Sequence, residues 1–264
     1  MNASHQDEAP ATSDYGNWVS TRLLMVVGSV TLLFAVVSVA WRPAGILAAL
    51  ALIALLYFVI ARYQFSSAGG GLQARIRELV LLYLPWDGNG EALDVGCGNG
   101  PLVIQLAKRH PRATIIGIDY WGAGWDYSQQ ACESNAEREG VADRVTFRRA
   151  TASSLPYDEG TFDAVVSNFV FHEVADTSDK RILIREALRV LRPGGLFCFQ
   201  DLFLEKAFYG ELDHLLNEIR SWGVDDVSFV NTSELEFVPG YLKLPFMLGK
   251  IGILYGKKIA VRGQ

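Results

Sequence analysis

Asp94-Val95-Gly96-Cys97-Gly98-Asn99-Gly100 decides how this 264-residue chain folds. A short apolar run, Glu91–Val95, enters three glycines at alternate positions, and Pro101–Arg109 leaves them at helical spacing. Glycine lets the backbone turn sharply and lets a ligand come close, because no Cβ intervenes. The helix that follows points its free N–H groups at any anionic group lying there. Outward from this point, strand and helix alternate. Residues 114–118, 145–148, 162–167 and 196–200 read as strands, and 129–139 as a helix closed by Gly140. Leu183, Ala187, Val190 and Leu191 share one face of a further helix, which Pro193-Gly194-Gly195 ends. Leu212, Leu215, Leu216 and Ile219 share a face of another, and short apolar runs follow at 227–230 and 251–255. The pattern predicts an α/β domain with a doubly wound, mostly parallel sheet and helices on both faces. Ligands of such sheets bind beyond the carboxyl ends of the strands.

Other nucleotide signatures fail. A dinucleotide fingerprint needs Gly or Ala where Pro101 stands, and no GxxxxGK[ST] loop occurs. Lys+Arg 24 against Asp+Glu 29, with no basic block, lacks the footprint of a nucleic-acid binder. Cys97, Cys132 and Cys198 are odd in number and far apart, which points to a reducing compartment rather than a disulfide framework.

Half of the residues are apolar, and the excess is local. Residues 23–41 and 44–61 are uncharged stretches of 19 and 18, separated by Arg42-Pro43. At ~1.5 Å per residue each reaches about 27–28 Å, close to the roughly 30 Å of a hydrocarbon core. Trp18, Trp41, Tyr57 and Tyr63 ring the ends, as interfacial aromatics do. The competing readings are a signal peptide, with Ser38-Val39-Ala40 as its cleavage site, and buried soluble helices. The acidic tail, the length of the first run and the immediate second run favour a transmembrane hairpin. Arg22, Arg62, Arg75 and Arg77 flank its ends while only Arg42 lies in the turn, so both ends face the cytoplasm under the positive-inside bias. The expected layout is a cytoplasmic tail over 1–22, the hairpin over 23–61, a Gly/Ser-rich linker over 62–71, and the α/β domain over 72–264. Leu72, Ile76, Leu79, Val80 and Tyr83 form a helical stripe after the linker, with Gln73, Arg75, Arg77 and Glu78 off it. The stripe faces either the core or the membrane surface.

The domain resembles the class I S-adenosylmethionine-dependent methyltransferases. The resemblance rests on Asp94-x-Gly96-x-Gly98-x-Gly100, on Asp119 at the second strand end, on Leu155-Pro156 before Phe162-Asp163-Ala164-Val165, and on Leu191-Arg192-Pro193-Gly194-Gly195. It spans roughly residues 72–258, is nearest the branch that includes quinone-ring C-methyltransferases, and implies a seven-stranded Rossmann-like sheet with S-adenosylmethionine as cofactor. It further implies that the loop from Gly96 through Cys97 and Gly98 to Gly100 receives the amino-acid moiety, with Asp94 bracing it from beneath. Asp119, 25 residues beyond Asp94, would accept both ribose hydroxyls, a helix cap being its alternative. Tyr120 would line the site beside it. Where many relatives carry Gly-Asp-Ala after the third strand this chain has Ala150-Thr151-Ala152, so Thr151 and Ala152 are expected at the adenine. Asn168 and the segment to Glu173 would border both cofactor and acceptor.

His172 in that segment is either a catalytic base or a histidine held structurally at the strand end. No metal ligand set is expected. Tyr120-Trp121-Gly122-Ala123-Gly124-Trp125-Asp126-Tyr127 forms either a pocket wall or a core-packed loop. Residues 244–248, between Lys243 and Lys250, either pack in the last sheet hairpin or reach lipid or a substrate channel. Three functions fit, the first far better than the others. It is a membrane-anchored methyltransferase acting on a small, lipophilic acceptor. The alternatives are a non-catalytic cofactor-binding membrane subunit and a nicotinamide reductase on a similar sheet. On this layout, removing the first 61 residues should leave a soluble domain starting near Gly69 that still binds cofactor.

Overall fold

Strand β1 (Glu91–Val95) is buried along all but its first residue, so an unbroken apolar run fits it and places it mid-sheet. The computed structural model describes residues 13–122 and 126–260. Beside β1 on one side lie β2 (Thr114–Asp119) and then β3 (Val145–Arg149). On the other lie β4 (Phe162–Asn168), β5 (Leu191–Asp201), β7 (Gly252–Lys258) and β6 (Val224–Val230). β1 to β5 run parallel, whereas β7 is antiparallel to both β5 and β6. The result is a seven-stranded mixed sheet in the order β3-β2-β1-β4-β5-β7-β6. Chain order reverses between β1 and β4, which opens a crevice at their carboxyl ends.

Helices α3 (Leu72–Leu82), α4 (Pro101–Arg109), α5 (Gln129–Arg138), α6 (Arg181–Val190), α7 (Lys206–Tyr209) and α8 (Leu212–Ser221) complete the domain. α6 stops at Val190, so Pro193-Gly194-Gly195 lies inside β5 rather than closing the helix. The β4–β5 register slips there, between Phe162 and Ala164, and Gly194 takes φ +78°, as glycine in a strand irregularity does.

Before the domain, α1 (Thr21–Ala40) and α2 (Ala44–Phe65) pack along each other as a hairpin. Both are long and apolar enough to cross a membrane. No residue of α1 is buried, and Leu32, Ile46 and Ile53 are each about two-thirds exposed (66, 67 and 64%). The expected linker over 62–71 is largely structured. α2 continues to Phe65, and a 3-10 turn over Ser67–Gly69 packs so closely that a Cβ on Gly69 would fall 1.8 Å from the Tyr63 carbonyl oxygen. Glycine here makes a tight corner instead of a loose tether. The corner delivers Leu72, Ile76 and Val80 of α3 into the interior, which answers the question about that stripe in favour of the core. Val19, Ala61, Phe65, Leu72 and Ile76 join Leu202, Val238, Leu242, Leu248 and Ile251 in one buried cluster. The hairpin base and the α/β domain therefore contribute to one buried cluster across the boundaries expected at 22, 61 and 71.

Candidate active site

Backbone N–H groups of Gly96 and Cys97 both donate to the Ile118 carbonyl, at 2.8 and 2.9 Å, and pin the glycine turn to the end of β2. Gly96 has φ +80°, and a Cβ there would lie 2.1 Å from Val170 Cγ2, so no other residue fits. Gly100, at φ +81°, precedes α4, whose first turn Pro101 opens. Asp119 ties the crevice together: its Oδ2 accepts from Gly98 N–H at 2.9 Å and its Oδ1 from Trp121 N–H at 2.8 Å. Burial pushes the Asp119 carboxyl above the ordinary range, and these N–H bonds pull it back. The Trp121 indole returns to the loop, donating to the Gly98 carbonyl at 2.9 Å. Of the aromatic segment, Ala123, Gly124 and Trp125 lie outside the described residues.

A cavity of about 630 Å³ opens over the loop. Asp94, Gly96, Cys97, Gly98, Asp119, Tyr120, Thr151, Ala152 and Asn168 all line it. Gly100 and His172 do not. Asp94 forms the floor, 1% exposed, with Oδ1 unpartnered. Burial, reinforced by the charge of Asp119 and opposed by Arg77, pushes its carboxyl up to about 8. The Asn168 side-chain oxygen, Oδ1, is likewise buried without a partner. Thr151 and Ser153 hydroxyls donate to Asp176 Oδ2 at 2.9 and 2.6 Å, which brings a carboxylate to the position where Thr151 lacks one.

Several lining residues are invisible to sequence patterning. Gln73 and Arg77 are buried against the expectation that they lie off the α3 stripe, because that stripe is wide enough to include them. One turn apart, they face the cavity, and burial holds the Arg77 guanidinium below its usual range. Tyr15 and Trp18 come from the expected tail. Residues 13–20 form a strap across the cavity, held by pairs that no local period announces. Asp14 N–H donates to Asn135 Oδ1 at 3.0 Å, the Asn135 amide donates back to the Asp14 carbonyl at 2.8 Å, and Tyr15 OH reaches Glu139 at 2.9 Å. The Trp18 ring lies tilted against Phe169 at 4.6 Å and meets Phe65 of α2 edge-on at 5.3 Å, and the Trp18 backbone N–H donates to Gln73 Oε1 at 3.2 Å. Arg62 donates to the Val19 carbonyl, and Thr21 N–H to Asp126. Phe169 carries φ +59°, a strained value for an aromatic residue and one that packing must maintain.

His172 lies behind this wall. Its Nδ1 is 2.7 Å from Asp201 Oδ1 and its Nε2 is 3.2 Å from Glu173 Oε1. Burial opposes the charged ring, but Asp201 and Glu173 outweigh it and raise His172 to about 10. Both ring nitrogens are thus engaged by carboxylates, and the ring is not among the residues that line the cavity. Glu173 does line the cavity. Among the described residues, no three or more His, Cys, Asp or Glu side chains are grouped to hold a metal.

Residues 93–199 match the family described as "Methyltransferase domain". The chain is 31% identical over 162 residues to 27-O-demethylrifamycin SV methyltransferase of Amycolatopsis mediterranei, covering 61% of this chain and 56% of that protein. It is 28% identical over 140 residues to the ubiquinone/menaquinone biosynthesis C-methyltransferase UbiE of Geobacter sulfurreducens, covering 52% of each. The chain thus spans about half the length of these curated relatives. The fold also matches geranyl diphosphate C-methyltransferase from Streptomyces coelicolor A3(2), solved with S-adenosyl-L-homocysteine. The TM-score is 0.54 at 15% identity, over 73% of this chain and 82% of that one. Buried, unpartnered oxygens on Asp94 and Asn168, a buried cation on Arg77 and a bare glycine loop suit the charged and polar groups of S-adenosylmethionine. Residues 93–199 thus match a methyltransferase domain, and the chain has a Rossmann-like methyltransferase fold.

Proposed function

We propose that this chain transfers a methyl group from S-adenosylmethionine to a small lipophilic acceptor drawn from the membrane that its hairpin spans. The observation that carries the reading is the cavity itself. Its lining combines the polar groups of Asp94, Arg77, Asp119 and the glycine loop with the apolar side chains of Trp18, Phe169, Val170 and Val174. In this reading Arg77 meets the cofactor carboxylate, Asp94 its ammonium, and Asp119 its ribose hydroxyls. A carboxylate oxygen accepts more than one hydrogen bond, so the N–H bonds from Gly98 and Trp121 leave Asp119 room for two more. Cys97, Gly98 and Gly100 shape the loop, Tyr120 flanks it, and Thr151 and Ala152, with Asp176 behind them, edge the adenine.

When bound, the cofactor supplies a methyl already activated on a sulfonium sulfur. The protein's part is alignment and exclusion of water. Trp18, Phe169, Val170 and Val174 make a dry wall for an apolar acceptor. Glu173, on the cavity and steadied by the His172 cation, is placed to take a proton if the nucleophile carries one. His172 is then a positioning residue, locked by Asp201.

The membrane reading is supported by two long, predominantly apolar helices whose outer faces carry Leu32, Ile46 and Ile53 in the open, an arrangement costly in water. Arg22, Arg62 and Arg75 at the hairpin ends against Arg42 at its turn favour a cytoplasmic domain; Arg77 drops out of that count because it is buried in the cavity. Trp18, touching both Phe65 and Phe169, joins the hairpin base to the apolar lining of the cavity. Methyl-labelled S-adenosylmethionine incubated with the full chain and a membrane extract tests the reading. Label in an organic-extractable small molecule is expected. No transfer to any extract component would leave a cofactor-binding subunit instead.

Asp94 gives a pH signature. With its carboxyl near 8 it is protonated at neutral pH, and a cation bound beside it draws it to the charged form. Binding then releases a proton, so affinity should rise with pH toward about 8, by up to about tenfold per unit. Calorimetry in buffers of different ionisation enthalpy measures that proton, and Asp94→Asn should abolish the slope. A pH-independent affinity in the wild-type protein would remove Asp94 from the cofactor's cationic group.

A further inference from the structure

The segment around Phe246 divides sharply. Leu242 and Leu248 are buried in the core shared with the hairpin base, at 0 and 2% exposure, and fasten both ends of a tight loop. Between them Leu244 and Phe246 stand in the open, Phe246 at 64%, next to exposed Tyr241. The Phe246 ring meets Tyr57 of α2 edge-on at 6.2 Å. That contact fixes its height on the hairpin. Ala61 is the last uncharged residue before Arg62, and Tyr57 lies four residues, about 6 Å at ~1.5 Å per residue, further toward the turn. A side chain beside Tyr57 is therefore level with the apolar part of α2, while Lys243 and Lys250 flank the loop as a headgroup layer would favour.

We infer that the loop carrying Tyr241, Leu244 and Phe246 is a wedge that enters the lipid headgroup–acyl boundary, a third membrane contact beside the two helices. It rests on the hairpin spanning the bilayer. An amphipathic element of this kind sinks about 5–10 Å, which matches the height set by Tyr57. The wedge holds the domain at one tilt against the membrane, because the rigid core of Leu242, Leu248, Phe65 and Ile251 connects loop, hairpin and sheet.

All three native cysteines are buried, so an introduced exposed cysteine takes a thiol-reactive, environment-sensitive fluorophore selectively. Phe246→Cys, Leu32→Cys on α1 and Asp143→Cys, a domain site with 76% side-chain exposure, are labelled in the full chain. Each is reconstituted into phosphatidylcholine–phosphatidylglycerol vesicles with and without lipids spin-labelled high on the acyl chain. The expected result is blue-shifted emission and strong quenching at residue 246, approaching residue 32, with residue 143 unquenched. Quenching at residue 32 but not at 246 overturns the wedge and leaves the hairpin standing. A blue shift at 246 without lipid quenching also overturns it, and assigns the patch to a protein contact. No quenching at residue 32 refutes the membrane reading itself, and the wedge with it.

Discussion

A chain shortened to residues 69–264 is expected to lose cofactor binding and solubility together. The cut removes Tyr15 and Trp18 from the cavity wall and strips Val19, Ala61 and Phe65 from a core that Leu72, Ile76, Leu202 and Leu242 would then expose. This reverses the expectation drawn from composition alone, in which the domain was self-sufficient. Trp18→Ala in the full chain separates the two losses. It keeps the hairpin and most of the core but opens the wall where Trp18 bridges Phe65 and Phe169. Removing so much aromatic surface should cost about 2–4 kcal/mol of stability and slow turnover of a lipophilic acceptor. Thermal unfolding in detergent and cofactor titration measure the two effects. A shortened chain that stays monomeric and binds cofactor with unchanged affinity would show residues 13–20 to be a passive tail.

Asp119→Ala should weaken S-adenosylhomocysteine binding at least about a hundredfold. Two charge-assisted hydrogen bonds to the ribose, at ~1.5–3 kcal/mol each, already correspond to that factor at their lower limit. The loss is compounded because the same carboxylate holds Gly98 N–H and Trp121 N–H, so the loop loosens as well. Asp119→Asn, which retains one acceptor oxygen, should fall between. The fold should survive, since the main chain of β2 remains paired with β1 and β3. Titration calorimetry reads the affinity, and an unchanged value in Asp119→Ala would sink the ribose assignment.

Strands and helices were legible because their signals are short-ranged. A buried parallel strand shows as a brief apolar run, a helix as a stripe of period near 3.6, and a turn by its glycines. Leu93 and Val95, or Leu183 and Ala187, declare their faces to their nearest neighbours. The errors occurred where a local signal had two physical solutions. Gly69-Gly70-Gly71 suits a flexible tether and a tight corner equally by composition, and only the Tyr63 carbonyl pressed against Gly69 decides. Pro193-Gly194-Gly195 suits a helix stop and a strand irregularity alike, and pairing with β4 decides.

By itself, the sequence determined the α/β alternation and the glycine turn, which follow from what a few adjacent residues can do with their own backbone, and its resemblance to a methyltransferase family singled out Asp94 and Asp119. It also determined two long apolar helices ahead of that turn. The tertiary structure alone decided which distant groups meet at that turn. Asp14 pairs with Asn135 across 121 positions, Thr151 with Asp176 across 25, and His172 with Asp201 across 29. Such pairs leave no periodic trace, because sheet order and the path of the chain bring them together. For that reason Trp18 and Arg77 read as tail and surface in the sequence, yet stand in the cavity wall.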